Sequence, residues 1–81
     1  MRTSTYTYNE AINEVKSYLA DNGIEWDGSK YPGNYMIEET SGDSKAYPCP
    51  RELDNWSGEV NVINVIDFDT QEELFSVAYW D

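Results

Sequence analysis

Carboxylates spaced two residues apart are the groups in this chain whose type and spacing best suit chemistry. Two such pairs lie in segments that alternate like strands, the second followed by further acids: Glu25/Asp27, and Asp67/Asp69 with Glu72 and Glu73. On a β-strand, side chains two residues apart share one face at a separation of roughly 6.6–6.8 Å. Pairs of this kind can act as general acid and base, ligate a hard cation, or bind the cationic side chains of a protein partner.

The segment from Val65 to Thr70, VIDFDT, is similar to the D-x-D-x-T signature of haloacid-dehalogenase-type phosphatases. The resemblance implies that Asp67 is a nucleophile and Asp69 a general acid at the end of a buried strand. It covers these residues alone. The family also requires a parallel sheet, a lysine and metal-binding acids, for which the stretch from Gln71 to Asp81 leaves no room. We therefore expect no phosphatase activity.

The chain lacks the residues that other catalytic and metal-binding arrangements require. The chain contains no histidine, so neither a serine–histidine nor a cysteine–histidine pair can form, and it has no glycine-rich phosphate loop. The acids between Asp67 and Glu73 lack the D-x-D-x-D-G order of an EF-hand. Cys49, between two prolines, is interpreted as a structural residue. The sequence predicts no catalytic residue, no metal site, no cofactor and no enzymatic activity.

Net charge is the strongest global property of the chain. Sixteen acids against five cations give −11 on 81 residues, more than solubility requires. Binding to nucleic acid or to an anionic membrane needs a cationic patch, so both are disfavoured and a basic protein partner is favoured. The length predicts a single domain, 1–81. One cysteine, no signal-like segment and no membrane-spanning run predict a cytoplasmic protein.

The first part of the chain carries a nearly complete set of helix signals. Thr7 and Glu10 form a capping box, and Gly23 can take the left-handed conformation that ends a helix. Between them, apolar residues recur at the helical period: Tyr8, Ala11, Ile12, Val15, Tyr18 and Leu19. These signals predict a helix over residues 8–22. Its outer face carries three acids: Glu10, Glu14 and Asp21.

Alternating apolar and polar residues predict strands in the remainder. The expected strands are 24–27, 34–40, a short one at 45–47, and a C-terminal hairpin over 59–81 that turns at Asp69–Glu72. The adjacent apolar pairs Val62-Ile63 and Val65-Ile66 indicate that both sheet faces are partly buried or that a bulge intervenes. The sequence thus predicts an α+β fold with one N-terminal helix packed on an antiparallel sheet of three to four strands, ending in a β-hairpin.

The leading functional hypothesis is a protein inhibitor that presents carboxylates where a basic partner expects phosphates. The predicted partner-binding residues are Glu10, Glu14, Asp21, Glu25, Asp27, Asp67, Asp69, Glu72 and Glu73, with Trp26 and Trp56 as aromatic anchors. Size, acidity, lack of catalytic residues and aromatic richness make the chain resemble small phage-encoded anti-defence proteins of the anti-CRISPR and DNA-mimic anti-restriction kinds. The resemblance is one of overall character. It implies blockade of a bacterial defence nuclease, or of its nucleic-acid-binding subunit, in the host cytoplasm.

Two other classes of function remain open at this stage. One is an immunity or antitoxin-like protein, or a structural module, that forms a homodimer through a sheet edge such as that of the C-terminal hairpin. The other is a carbohydrate-binding module that uses tryptophan and tyrosine platforms. Such modules are usually secreted, and this chain shows no export signal.

Overall fold

The computed structural model describes residues 1–50 and 53–80, in which a helix covers one face of a four-stranded sheet. The elements in chain order are β1 (Arg2–Thr5), α1 (Tyr8–Asp21), β2 (Tyr35–Asp43), a 3₁₀ helix (Ser44–Ala46), β3 (Glu59–Asp67) and β4 (Glu73–Tyr79). The predicted α+β fold, with a helix on a sheet and a C-terminal hairpin, is confirmed. No helix in this part of the chain has the length and apolar character needed to cross a membrane.

The sheet is mixed, with strand order β1-β4-β3-β2. β3 pairs antiparallel with both β2 and β4, as expected, but β1 lies parallel to β4, with Arg2 opposite Ser76 and Thr5 opposite Tyr79. The sequence prediction started with the helix and contained no strand before it. β1 has only four residues and no apolar alternation, and its partner strand lies at the far end of the chain, so no local pattern indicates it.

The helix follows its local signals closely. The Glu10 backbone N–H donates to Thr7 Oγ1 at 3.2 Å and the Thr7 N–H donates to Glu10 Oε1 at 3.1 Å, which completes the capping box. At the other end Gly23 has φ +79°, and the Ile24 N–H donates to the Leu19 carbonyl at 2.8 Å in a Schellman motif. The observed span Tyr8–Asp21 confirms the predicted helix.

Loss of the helix N-cap is expected to lower the stability of the fold measurably. Thr7→Ala removes the hydroxyl that accepts from the Glu10 N–H, so the free energy of unfolding should fall by about 1 kcal/mol. Urea denaturation followed by tryptophan fluorescence measures the change. Thr7→Ser keeps the hydroxyl and should cost less, and equal losses in the two variants would show that the cap does not stabilise the helix.

The main core lies between α1 and the sheet. The buried helix residues Ala11, Val15 and Leu19 face a layer from the three longer strands: Ile37, Ile63, Val65, Phe75, Val77 and Tyr79. Tyr18 stacks on Phe75 with ring centroids 4.8 Å apart, and Tyr8 meets Tyr79 edge-on at 5.4 Å. The start of α1 is thus over the end of β4. The helix runs opposite to β4 and ends near the β3–β4 turn.

The opposite sheet face is also partly covered. Tyr47 and Trp56, from the described parts of the connection between β2 and β3, pack there on Val60, Val62 and Ala78. A register shift also occurs between Val65 and Ile66. Both explanations for the adjacent apolar pairs therefore hold, because β3 is buried on two faces and carries an irregularity.

Polar side chains form a continuous chain of hydrogen bonds on this second face. The hydroxyls of Tyr47 and Ser76 are 2.7 Å apart, Ser76 Oγ donates to Asn64 Oδ1 at 2.7 Å, and Asn64 Nδ2 donates to Thr40 Oγ1 at 3.1 Å. Ser76 is fully buried, so its hydroxyl needs these partners. The network joins three strands and ties the covering segment to the sheet through Tyr47.

Two predicted strands are not formed. Residues 24–27 are irregular, because a local turn closes there when the Trp26 indole N–H donates to the Ser29 carbonyl at 2.8 Å. Lys45 and Ala46 belong to the 3₁₀ helix instead, whose start is capped by Asp43 Oδ1 accepting from the Lys45 N–H at 2.9 Å. In both places a short-range hydrogen bond takes the backbone away from the extended conformation.

The hairpin strands are not sheet edges. β4 lies between β1 and β3, and β3 lies between β4 and β2. The expectation that the terminal hairpin offers an edge for self-association is therefore wrong. The edges of the described sheet are β1 and β2.

Candidate partner-binding surface

The predicted acidic residues do not form one continuous face. Glu10 lies in the first turn of α1, at the end of the sheet where Tyr8 meets Tyr79. Asp21 ends the helix, at the opposite end of the sheet, where the β3–β4 turn also lies. A helix of this length spans about 20 Å, so these two carboxylates are on separate sides of the molecule. Glu14 is exposed between them.

The Glu25/Asp27 pair does not share a strand face, because no strand forms there. Asp27 closes the local turn instead, with Asp27 Oδ1 accepting the Ser29 N–H at 3.1 Å. This backbone hydrogen bond is the main reason that the pKa of Asp27 lies below its ordinary value, and a hydrogen bond from the Ser29 side chain is the second. Asp27 therefore acts in part as a turn residue, while Glu25 is exposed.

The lowered pKa of Asp27 leads to a test by titration. A group with a lower pKa in the folded state stabilises the fold above its unfolded value of about 3.9, and this contribution is lost as the pH falls through the folded pKa. A carbon-detected NMR titration should place the Asp27 carboxyl below its ordinary range. Ser29→Ala should move the pKa part of the way back, because the backbone donor remains. An Asp27 that titrates at its ordinary value in the unaltered protein would contradict this.

Asp67 is also a turn residue. It ends β3, and Asp67 Oδ1 accepts the backbone N–H groups of Asp69 and Thr70 at 2.9 and 3.1 Å. Gln71 supplies the left-handed residue of the turn, with φ 63°. Asp69 lies beyond the strand, so the two-residue strand spacing does not apply to this pair. The D-x-D-x-T stretch is thus accounted for by the hydrogen bonds of a hairpin turn.

Glu73 forms an ion pair within the molecule. Its Oε2 lies 3.2 Å from Arg2 Nε, and Arg2 also lies over the Tyr47 ring at 5.3 Å from the centroid. For Asp69 and Glu72, by contrast, no ion pair forms within residues 1–50 and 53–80. These two exposed carboxylates of the hairpin turn remain available to an external cation.

The predicted tryptophan anchors are both engaged in packing. Trp26 is only 8% exposed and belongs to the main core, so it is not a surface anchor. Trp56 is half-buried on the second sheet face, where its indole N–H donates to the Ser44 carbonyl at 2.9 Å and its ring lies 5.9 Å from that of Trp80. Burial of large apolar rings is the stronger effect here, because few other side chains can fill those spaces in a small domain.

Two other aromatic rings are exposed beside the hairpin turn. Tyr31 and Phe68 are 55% and 51% exposed, and their ring centroids lie 5.8 Å apart in an edge-on contact. The Phe68 N–H donates to the Asn34 carbonyl at 2.9 Å, which fixes the turn against the preceding loop. We call Tyr31, Phe68, Asp69 and Glu72 the tip surface. The sequence prediction placed Phe68 within a strand, but β3 ends one residue earlier.

A groove of about 800 Å³ lies between α1, the turn at residues 26–30, and β2. Apolar side chains from all three elements line it, including Ile12, Trp26 and Ile37. Charged residues of both signs line it as well: Lys16, Asp27, Lys30, Glu38 and Glu39. The described residues contain no group of three or more histidine, cysteine, aspartate or glutamate side chains arranged to hold a metal ion.

Both the tip surface and the groove are suited to binding. Exposed rings and carboxylates on one turn can hold guanidinium groups, and a groove lined in part by apolar residues can hold a side chain of a partner. Comparisons of the chain with protein-family models, with curated proteins and with solved structures found no match.

Proposed function

We propose that this chain is a non-enzymatic, acidic inhibitor that binds a basic, nucleic-acid-binding protein. The partner class is a bacterial defence nuclease or its nucleic-acid-binding subunit, and the site of action is the cytoplasm of the host cell. The observation that carries the proposal is the tip surface. There the exposed rings of Tyr31 and Phe68 lie at the hairpin turn that also carries Asp69 and Glu72, within a chain of net charge −11.

The proposed mechanism follows from the chemistry of these groups. Carboxylates accept charge-assisted hydrogen bonds from arginine and lysine, as nucleic-acid phosphates do. Aromatic faces add a cation–π attraction for guanidinium groups, as the Tyr31 ring already shows with the Lys30 ammonium 5.9 Å from its centroid, and they supply apolar area that phosphates lack. The large negative charge speeds association with a basic surface. A partner whose nucleic-acid channel is occupied in this way can no longer bind its substrate.

Affinity capture tests the proposal. The tagged chain is incubated with lysate from bacteria that carry defence nucleases, and captured proteins are identified by mass spectrometry. The expected result is a basic nucleic-acid-binding protein whose retention falls steeply as the salt concentration rises. A matched column carries the tip variant Asp69→Lys/Glu72→Lys and should lose that protein. Equal capture by both columns would show that the tip surface is not the binding site.

Sedimentation of the purified chain tests the alternative of self-association. The proposal expects a monomer, because the self-repulsion of two chains of this charge opposes a dimer. A stable homodimer, together with capture of no basic protein, would replace the inhibitor proposal by the structural-module hypothesis.

A further inference from the structure

The outer edge of β2 is the longest open strand edge in the described sheet. β2 pairs with β3 on one side only, over the register Tyr35↔Asp67 to Asp43↔Glu59. At its start, the Tyr35 and Ile37 N–H groups point away from β3, since they donate to the carbonyls of Pro32 at 3.0 Å and Lys30 at 2.7 Å. The preceding loop therefore pairs with the first part of this edge.

The second part of the same edge is open. Backbone groups of a strand alternate in direction, so the N–H groups of Glu39, Ser41 and Asp43 point outward, like that of Ile37. Residues of the other parity pair with β3, a pattern that continues to the Ser44 N–H, which donates to the Gly58 carbonyl at 2.9 Å. Within the described residues, no backbone hydrogen bond covers the outward groups from Glu39 onward. This half-edge has the pattern that accepts an added strand.

The groove lies directly beside this half-edge. Glu38 and Glu39 line it together with Tyr8, Ile12 and Trp26, so it opens at the point where the covering loop ends. Side chains of an added strand alternate between the two sheet faces. Those on the α1 side would enter the groove. The edge would thus supply main-chain hydrogen bonds, and the groove would supply a place for an apolar side chain.

Charge selects the occupant of the edge. Glu38, Glu39 and Asp43 lie along β2, and Glu59 lies opposite Asp43 on β3. Antiparallel pairing of two copies about Ser41 would place Glu39 of each copy opposite Asp43 of the other, and pairing about Glu39 would oppose two glutamates. Like charges directly opposite each other destabilise a strand pair. An extended segment with arginine or lysine side chains has no such conflict with these carboxylates, and its apolar side chain is the one that faces Lys16 and Lys30 in the groove.

We propose that the open half-edge of β2, residues 39–43, accepts an extended basic segment of the partner as a fifth strand of the sheet. An apolar side chain of that segment enters the groove beneath α1. This inference rests on the proposed binding of a basic protein and names a second contact, separate from the tip surface. Strand addition fixes the partner's direction and register, which charge alone does not.

Peptide binding tests the inference without the natural partner. The probe is a short, capped peptide with the repeating order Arg-Arg-Val-Val, so that each face of the added strand carries both arginine and valine side chains. Its addition to the ¹⁵N-labelled protein should shift the amide signals of Glu39, Ser41 and Asp43, and should slow hydrogen exchange at amides that exchange rapidly in the free chain. The same peptide with N-methylated backbone amides keeps its charge and should not bind. Equal binding of both peptides, or shifts confined to Phe68–Glu73, would overturn the inference.

A proline substitution provides a second test. Ser41→Pro removes an outward N–H without removing a bond to β3, so the fold should persist while affinity for the probe falls about tenfold or more. Ser41→Ala keeps the N–H and should bind normally. If Ser41→Pro fails to fold, comparing the original and the N-methylated peptide on the unaltered protein still tests the inference.

Capture of the partner separates this inference from the proposed function. Partner binding that is lost in the tip variant but retained in Ser41→Pro would refute strand addition and leave the inhibitor proposal standing. Binding that is lost in Ser41→Pro but retained in the tip variant would refute the tip surface and support the edge.

Discussion

Phe75→Ala is expected to lower the free energy of unfolding by about 3–5 kcal/mol, the largest effect of any single substitution considered for this chain. Phe75 is 2% exposed at the centre of the main core, and its ring stacks on Tyr18 at a centroid distance of 4.8 Å. The substitution removes a large buried ring and leaves a cavity between α1 and β4. A small domain of ordinary stability has only about 5–15 kcal/mol in total, so a partly unfolded population is expected.

Phe68→Ala is the matched control for this prediction. It makes the same chemical change in the same hairpin, but Phe68 is 51% exposed, so its loss should cost much less stability. Urea denaturation followed by tryptophan fluorescence measures both variants. Equal destabilisation by the two substitutions would mean that Phe75 is not the centre of the core.

The double variant Tyr31→Ala/Phe68→Ala is expected to weaken partner binding by about thirtyfold or more, which corresponds to a loss of about 2 kcal/mol. Aromatic residues that adjoin charged groups supply a large share of binding energy at interfaces. The two ring centroids are 5.8 Å apart in an edge-on contact, so each ring helps to hold the other in position. Their effects should therefore be non-additive in a double-mutant cycle. Calorimetry with the captured partner measures each affinity.

Tyr6→Ala serves as the control for binding. Tyr6 is an exposed aromatic residue between β1 and α1, outside the tip surface. Its substitution should leave partner affinity within about twofold of the original value. If Tyr6→Ala weakens binding as much as the double variant does, the partner contacts the opposite end of the sheet, near Glu10.

Elements with strong local signals were predictable from the sequence. The helix has a capping box at Thr7, a helical apolar stripe and a Schellman end at Gly23, and all three lie within one short stretch. The hairpin likewise combines two apolar strands with a short connecting turn. Both elements are stabilised by contacts between residues that are near in sequence. The spacing of apolar residues along the sequence indicates such contacts.

Elements that depend on distant or competing contacts were not predictable. β1 becomes a strand because β4 offers it a parallel edge, and its sequence alone gives no sign of this. Residues 24–27 alternate like a strand, but Trp26 turns into the core and its indole N–H closes a local turn with Ser29. Burial of the Trp26 indole outweighed the alternating pattern there, because burying a large aromatic side chain stabilises the fold more than an extended conformation of the exposed residues beside it would.

The candidate surface was likewise predictable from the sequence only in part. The net charge of −11 and the density of acids in the hairpin turn are properties of the sequence, and they favour a basic partner. Which carboxylates remain available was decided by the tertiary structure. Arg2, 71 residues away in the chain, lies against Glu73, and the hairpin turn uses the Asp67 carboxylate. A carboxylate's availability depends on which donors the fold brings within about 3 Å, and sequence spacing does not contain that distance.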